Sequence, residues 1–309
     1  MPFRLSQDES IPRGIRRIAR EEIDAAIENL RIKLPAKRDV AVHDARKSLK
    51  KLRSLIRMIS PCLGDAAKKE NAALRELGRA LSRMRDAAAM LETVNLLGKK
   101  YKREPAARDL AELRSLFVKR RADARSDSEA IATTEAGVTT LRGLRRRLNN
   151  WSLGAGVDAM EPGFKRIYSR GRKAYSRAEK NANPENLHEL RKRVKDYWYQ
   201  VRLLESIWQN GSKSPEKELR ELQEWLGEAH NLAVLREETT TGGLTALIND
   251  YEKELCEKSL AAASKLYDLR PADQVRQIAQ LWEAWRDEPA RKGAKAATAT
   301  HVGKSLSAA

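Results

Sequence analysis

The segment Val42-His43-Asp44-Ala45-Arg46-Lys47 returns 145 positions later as Leu187-His188-Glu189-Leu190-Arg191-Lys192. The same offset pairs Lys50 with Lys195 and Arg57 with Arg202. It runs on without a gap to Leu74-Arg75-Glu76-Leu77 against Leu219-Arg220-Glu221-Leu222, then to Leu81 with Leu226, Ala88 with Ala233 and Glu92 with Glu237. One register held through two segments and their connection means that a single unit is used twice, and it predicts an approximate two-fold relation between the copies. Any fold for this chain must satisfy both copies.

The unit is helical. Apolar residues recur at helical spacing throughout, and no run alternates as a half-buried strand would. Proline and glycine then set expected boundaries. A first helix starts after Ile11-Pro12 and stops before Pro35, a second covers about 39–59, and a third about 65–98. One or two more occupy 105–150, with Gly137 and Gly143 weakening the pattern there. Leu153-Gly154-Ala155-Gly156-Val157 is a loop between halves. Helices follow over about 161–181, 184–209 and 215–238, a break over 239–243, and helices over 244–269 and 271–287. The expected architecture is all-α: two antiparallel bundles of about four helices each, over 10–152 and 158–287. The Ala-, Lys- and Thr-rich tail over 288–309 lacks large apolar residues and is expected to be disordered.

Charge narrows the partner. Lys and Arg number 61 against 43 Asp and Glu, giving a net charge of +18. Such self-repulsion favours a polyanionic partner that neutralises it. Cys62 and Cys256 are too few for a disulfide framework and too far apart in sequence for a metal motif. The first ten residues carry no apolar signal-peptide core, and no stretch approaches the roughly 18 uncharged apolar residues that span a bilayer. The expected location is the cytoplasm.

The cations are ordered along the helices. Val42, Ala45, Leu49, Leu52, Ile56 and Ile59 form an apolar stripe, and His43, Arg46, Lys50, Arg53 and Arg57 form a basic one beside it. The second copy repeats both: Leu187, Leu190, Val194, Tyr197, Val201 and Leu204, flanked by His188, Arg191, Lys195, Trp198 and Arg202. Lys47 and Lys192 extend the basic surface. A merely solvated face mixes signs for i,i+4 pairing, whereas these stripes are almost purely positive and occur twice. Arg166, Arg170, Arg172 and Lys173 on a later helix, and Arg16, Arg17 and Arg20 on the first, add to the candidate site. Arg142, Arg145, Arg146 and Arg147 are either a further patch or a solvated helix end. Guanidinium forks with mobile ammonium groups suit a chain of phosphates.

His43 and His188 invite sharper chemistry. A metal site would have to be assembled across helices from His43, His188 and His230, because no His-x-x-x-His or Cys-x-x-Cys spacing exists. Phosphorylated histidine is a second alternative. The plainer reading places each histidine in its basic line, neutral among cations, and contacting a ligand or a neighbouring helix. No metal and no cofactor is expected. Phosphoryl-transfer machinery is also missing: there is no Gly-rich Lys-Ser/Thr loop and no acidic cluster beside the stripes.

The repeated His-x-x-Arg-Lys-x-x-Lys elements resemble the signature of the CHAD family (conserved histidine α-helical domain). Met84-Arg85-Asp86 and Tyr168-Ser169-Arg170-Gly171-Arg172-Lys173-Ala174 are similar to that family's pattern too, so that the likeness spans about 10–287. Departures occur at Ala229-His230-Asn231, where the pattern implies an Arg-Asp pair, and at Trp198. The resemblance implies two pseudo-symmetric helical bundles around a basic cavity that binds inorganic polyphosphate, and association with polyphosphate granules. Family members are often fused to a triphosphate-processing CYTH domain, for which the length leaves no room. The expected function is therefore non-catalytic polyphosphate binding. The alternatives are a nucleic-acid-binding helical protein, with weaker binding expected, and a metal-dependent or phosphohistidine enzyme. The scarcity of aromatics on the basic faces argues against stacking on single-stranded bases.

Overall fold

A computed structural model of the chain describes residues 3–101, 107–123, 128–208, 212–239 and 241–287. The expected tail over 288–309 lies outside these residues. The fold is all-α, with twelve helices and no strand among the described residues: α1 (Ile11–Glu28), α2 (Arg38–Met58), α3 (Ser60–Leu63), α4 (Asp65–Arg83), α5 (Asp86–Lys100), α6 (Ala107–Asp123), α7 (Ser128–Arg147), α8 (Glu161–Lys180), α9 (Pro184–Leu203), α10 (Glu216–Glu237), α11 (Gly242–Leu266) and α12 (Pro271–Asp287). Pro12, Pro162 and Pro184 sit in first turns, where the missing N–H costs nothing. Asn183 caps α9 by accepting from the Asn186 N–H at 2.8 Å. None of the described helices is long and apolar enough to cross a membrane.

The expected helix over 65–98 is two helices. It breaks at Arg85, whose φ of −123° and ψ of −7° leave the helical range, and the Arg85 N–H closes a tight turn on the Ser82 carbonyl at 2.8 Å. No glycine or proline marks the break. The physical reason is packing. Leu74, Leu77 and Leu81 of α4 belong to one core, while Leu91, Val94 and Leu97 of α5 belong to another, and one straight helix cannot serve both. In the second copy the matching positions, Ala229 to Asn231, run unbroken through α10. Upstream, α2 stops at Met58, and the added turn α3 leads into Gly64, whose φ of +53° suits a residue without a Cβ. Helix α9 ends at Leu203, short of the expected 209, in a turn over Glu205–Ile207.

The larger core is continuous across both sequence halves. It joins α1, α2, α4 and α7 to α8, α9 and α12, with Phe3 and Leu5 tucked in from the N-terminal segment. The smaller core docks the α5–α6 hairpin onto α10 and α11 through Leu91, Val94 and Phe117 against Leu232, Leu235 and Ile248. The loop over 153–157 thus connects halves that share one hydrophobic interior. Within it α2 packs on both α8 and α9. The α2–α8 contact is close because Gly163 has no side chain: a Cβ there would lie 1.6 Å from the Met58 carbonyl oxygen.

Candidate functional site

The two basic stripes meet because the helices that carry them touch. Ser54 Oγ of α2 donates to the Asp196 carbonyl of α9 at 3.2 Å, and Arg57 pairs with the Asp196 carboxylate across the same contact. Above this contact lies a cavity of about 550 Å³, floored by α2 and α9 and walled by α4 and α8. Ten Lys or Arg residues line it against two carboxylates, Glu189 and Asp196.

Its interior is charged and poorly compensated. Lys50 and Lys195 are half-buried and, among the described residues, neither has a carboxylate partner. Burial, and then the neighbouring Lys195 and Arg46 charges, push the Lys50 ammonium down to about 6. Burial with Arg191 and Arg46 brings Lys195 to about 8. Arg53 is lowered to about 10, chiefly by burial, and donates to Asn71 Oδ1 at 3.0 Å. Arg46 and Arg191 are lowered by burial as well. Half-buried cations facing one another with few counter-charges, and with no ion-pair partner for Lys50 or Lys195 among the described residues, form a focused positive potential, the arrangement that an anion relieves.

The equivalent arginines of the two copies lie along different helices and are bonded differently. Arg46 donates to the Gly78 carbonyl at 2.6 Å and to Ser82 Oγ. Its counterpart Arg191 lies along α10, where a Cβ on Gly227, the counterpart of Ser82, would come 3.6 Å from the guanidinium. Arg191 Nε is buried without a hydrogen-bond partner among the described residues.

Of the residues picked from sequence, Arg46, Lys50, Arg53, Arg57, Arg170, Lys192 and Lys195 line the cavity. Arg191 stands behind it and acts through its charge on both lysines. Arg166 lines an adjoining cavity. The remainder lie elsewhere, each for a visible reason. Arg16 donates to the Leu148 and Trp151 carbonyls at 3.3 and 2.6 Å, tying α1 to the inter-half connection. Arg17 is held by Glu9 and Glu21, and Arg20 is exposed on α1. Lys47 is exposed on α2, outside the lining but close enough to lower Lys195. Arg202 stacks over the Trp198 ring at 4.9 Å, and Trp198 N–H donates to Glu216 at 3.0 Å, so this end of the stripe turns onto α10. Arg172 donates to the Tyr267 carbonyl at 3.2 Å and, with Lys173, faces a different cleft. Arg145 and Arg147 are paired with Asp24 and Glu70.

The histidines sit beyond the cavity lining. His43 is exposed as a residue, yet partial burial of its ring, followed by the Arg85 charge, lowers its pKa. His188 packs against His230 with ring centroids 4.5 Å apart, and burial brings His230 to about 4. Burial, more than the neighbouring cations, holds all three below their usual value. Among the described residues, no three His, Cys, Asp or Glu side chains converge as metal ligands.

Sequence reasoning missed the α4 wall, which is Asn71, Arg75, Arg79 and Ser82, as well as Arg193 of α9. The signal was available: 71, 75, 79 and 82 follow 4-4-3 spacing beside the Leu74–Leu81 stripe. Glu76, which pairs with both Arg75 and Arg79, made that helix look like an ordinary mixed-charge face.

The family model described as the CHAD domain matches residues 17–240, which includes both stripes and every helix that lines the cavity. No curated protein matches the chain.

Proposed function

Because the chain belongs to the CHAD family, we propose that it binds inorganic polyphosphate in the groove between α2, α4, α8 and α9, without transforming it, and that this binding carries the protein to polyphosphate granules. The observation that carries the reading is the group Arg46, Lys50, Arg191 and Lys195. These cations face one another with lowered pKa values and, among the described residues, no ion-pair partner. A chain of closely spaced phosphates supplies one negative charge after another along such a groove, and guanidinium and ammonium groups suit its oxygens. The two carboxylates present are engaged: Glu189 pairs with Arg193 and Lys192, and Asp196 with Arg57 and Arg193. That engagement leaves neither poised to hold a catalytic metal, which supports binding without turnover.

Nucleic acid offers the same phosphates but brings bases that need stacking surfaces. Among the described residues, the one aromatic side chain in the lining, Tyr199, packs its ring on Phe3 and Trp198. The test is charge reversal. Lys50→Glu with Lys195→Glu removes polyphosphate binding, measured by titration calorimetry, while circular dichroism keeps its helical signal. Retained affinity in a folded double variant would show that the groove is not the site.

A further inference from the structure

Helix α8 has a second polar face that the groove does not use. Ser169, Arg172, Lys173 and Ser176 follow 3-1-3 spacing, so they share one side of the helix. That side lines a separate cavity of about 600 Å³, whose other wall is the end of α11 and the turn into α12. Its floor is rigid. Tyr267 is buried, and its ring fits against α8 because Gly171 has no side chain: a Cβ there would lie 2.5 Å from the ring. Half-buried Tyr175 lies over that ring, with centroids 6.5 Å apart and planes 19° from parallel. Around this floor the charged groups are mostly open. Arg172 Nε donates to the Tyr267 carbonyl at 3.2 Å, which fixes the guanidinium plane, and neither Arg172 nor Lys173 has an ion-pair partner among the described residues. Asp268, in the turn after α11, is exposed and likewise unpaired among the described residues. Glu179 accepts from the Tyr175 hydroxyl.

We propose that this cavity is a binding site for a nucleoside monophosphate, with the phosphate on Arg172 and Lys173, the ribose hydroxyls on Asp268 and the base against the Tyr175 ring. The site is independent of the polyphosphate reading, since α8 turns Arg170 toward the groove and Arg172 and Lys173 toward this cavity. The charges decide the ligand class. Arg172 and Lys173 are balanced by Glu179 and Asp268, so a polyanion meets no net attraction here. A ligand with one phosphate at one end and hydroxyls further along meets both signs. A guanidinium held at Nε presents its remaining N–H groups to phosphate oxygens as a fork, and the adjacent ammonium adds a mobile second charge. A carboxylate accepts hydrogen bonds from ribose hydroxyls, as acidic residues do in dinucleotide sites. An aromatic ring offers the face on which a base stacks. The volume lies within the roughly 300–1,000 Å³ of small-ligand sites.

The experiment titrates adenosine monophosphate into wild type and into the Lys50→Glu, Lys195→Glu double variant, which removes the groove as a competing anion site. Adenosine, inorganic phosphate and tripolyphosphate are the comparison ligands. One site of equal affinity in both proteins is expected, about tenfold tighter than for adenosine or phosphate, each of which lacks part of the contacts. Lys173→Glu should weaken the nucleotide about tenfold, as an attraction becomes a repulsion. Ser176→Trp fills the cavity from an exposed position and should abolish binding while circular dichroism keeps its helical signal. Asp268→Asn should lower the affinity to that of the 2′,3′-dideoxy nucleotide, which lacks the hydroxyls. Absence of nucleotide binding at about 1 mM, a level that still detects a weak site, would overturn the assignment. So would loss of binding in the groove double variant, or unchanged affinity in both Lys173→Glu and Ser176→Trp. Phosphate or tripolyphosphate binding the double variant as tightly as the nucleotide would overturn it too, by revealing a plain anion site. None of these results bears on polyphosphate in the groove, which the charge reversal of Lys50 and Lys195 tests separately.

Discussion

Binding of a polyanion to this groove should take up protons from solution, and Lys50 should supply most of the effect near neutrality. In the free protein Lys50 titrates at about 6 and Lys195 at about 8, because burial and neighbouring cations disfavour their charged forms. At pH 7, Lys50 is about nine-tenths neutral and Lys195 about one-tenth neutral. Phosphates packed against both ammonium groups return them toward the ordinary lysine value of about 10.4, so each becomes fully charged in the complex. The uptake is then about one proton per site at pH 7 and about one and a half at pH 8. Affinity falls as pH rises through this range, since the free protein must be charged before it can bind. Lys50→Met should cut the uptake to about a tenth of a proton at pH 7 and about half at pH 8, leaving the Lys195 share. The assay is calorimetric titration with long-chain polyphosphate in buffers of different ionisation enthalpy, where the slope of apparent enthalpy against buffer enthalpy counts the protons. A slope of zero for wild type at pH 7 and 8 would mean that Lys50 is already charged in the free groove or that the anion does not reach it, and would overturn this linkage.

Three further outcomes follow from the same structure. Gly163→Ala drives a methyl into the Met58 carbonyl and should cost about 3 kcal/mol or more, at the upper end of overpacking, in denaturant unfolding. It should also weaken polyphosphate binding, because α8 carries Arg170. Phe117→Ala empties the fully buried centre of the α5–α6 hairpin and should cost about 3–5 kcal/mol, with hydrogen exchange accelerating in α5 and α6 before α2 and α9. Without ligand, the folded protein should gain stability as pH rises from about 6 to about 10. The unfolded chain binds more protons than the native one between the depressed values of Lys50 and Lys195 and the ordinary lysine range. Above that window stability should fall, since Tyr168 is held up to about 12 and Tyr197 higher still by burial, and ionisation then favours the unfolded state. Melting temperature against pH, recorded at constant ionic strength, checks both limbs.

Much of this was legible in the chain. Helical period and the 145-residue register located α2 and α9 and their paired cations, because side-chain spacing on a helix is a local property. What lay hidden is tertiary. Whether Lys50 and Lys195 share a cavity depends on the α2–α9 contact, which no spacing records. Arg57 and Arg202 occupy equivalent places in the repeat, yet Arg57 pairs with Asp196 beside the groove while Arg202 lies on Trp198. The α4–α5 break at Arg85 carries no glycine or proline, since two separate cores impose it from outside. Arg16 reads as a free cation in sequence because the Leu148 and Trp151 carbonyls reach it only through folding, and Arg17 gains Glu9 in the same way beside its local i,i+4 partner Glu21. The α4 wall escaped notice for the opposite reason: Glu76 disguised Arg75 and Arg79 as a balanced face.

If the groove holds polyphosphate, it should recognise phosphate charge in a dense, base-free chain. The most direct measurement is the affinity of long-chain polyphosphate against single- and double-stranded nucleic acid at equal phosphate concentration and about 150 mM salt, where non-specific electrostatic binding is already weakened. Polyphosphate should bind more tightly than either nucleic acid, and Lys50→Glu with Lys195→Glu should abolish this preference. Nucleic acid binding as tightly as polyphosphate, or more so, would contradict it.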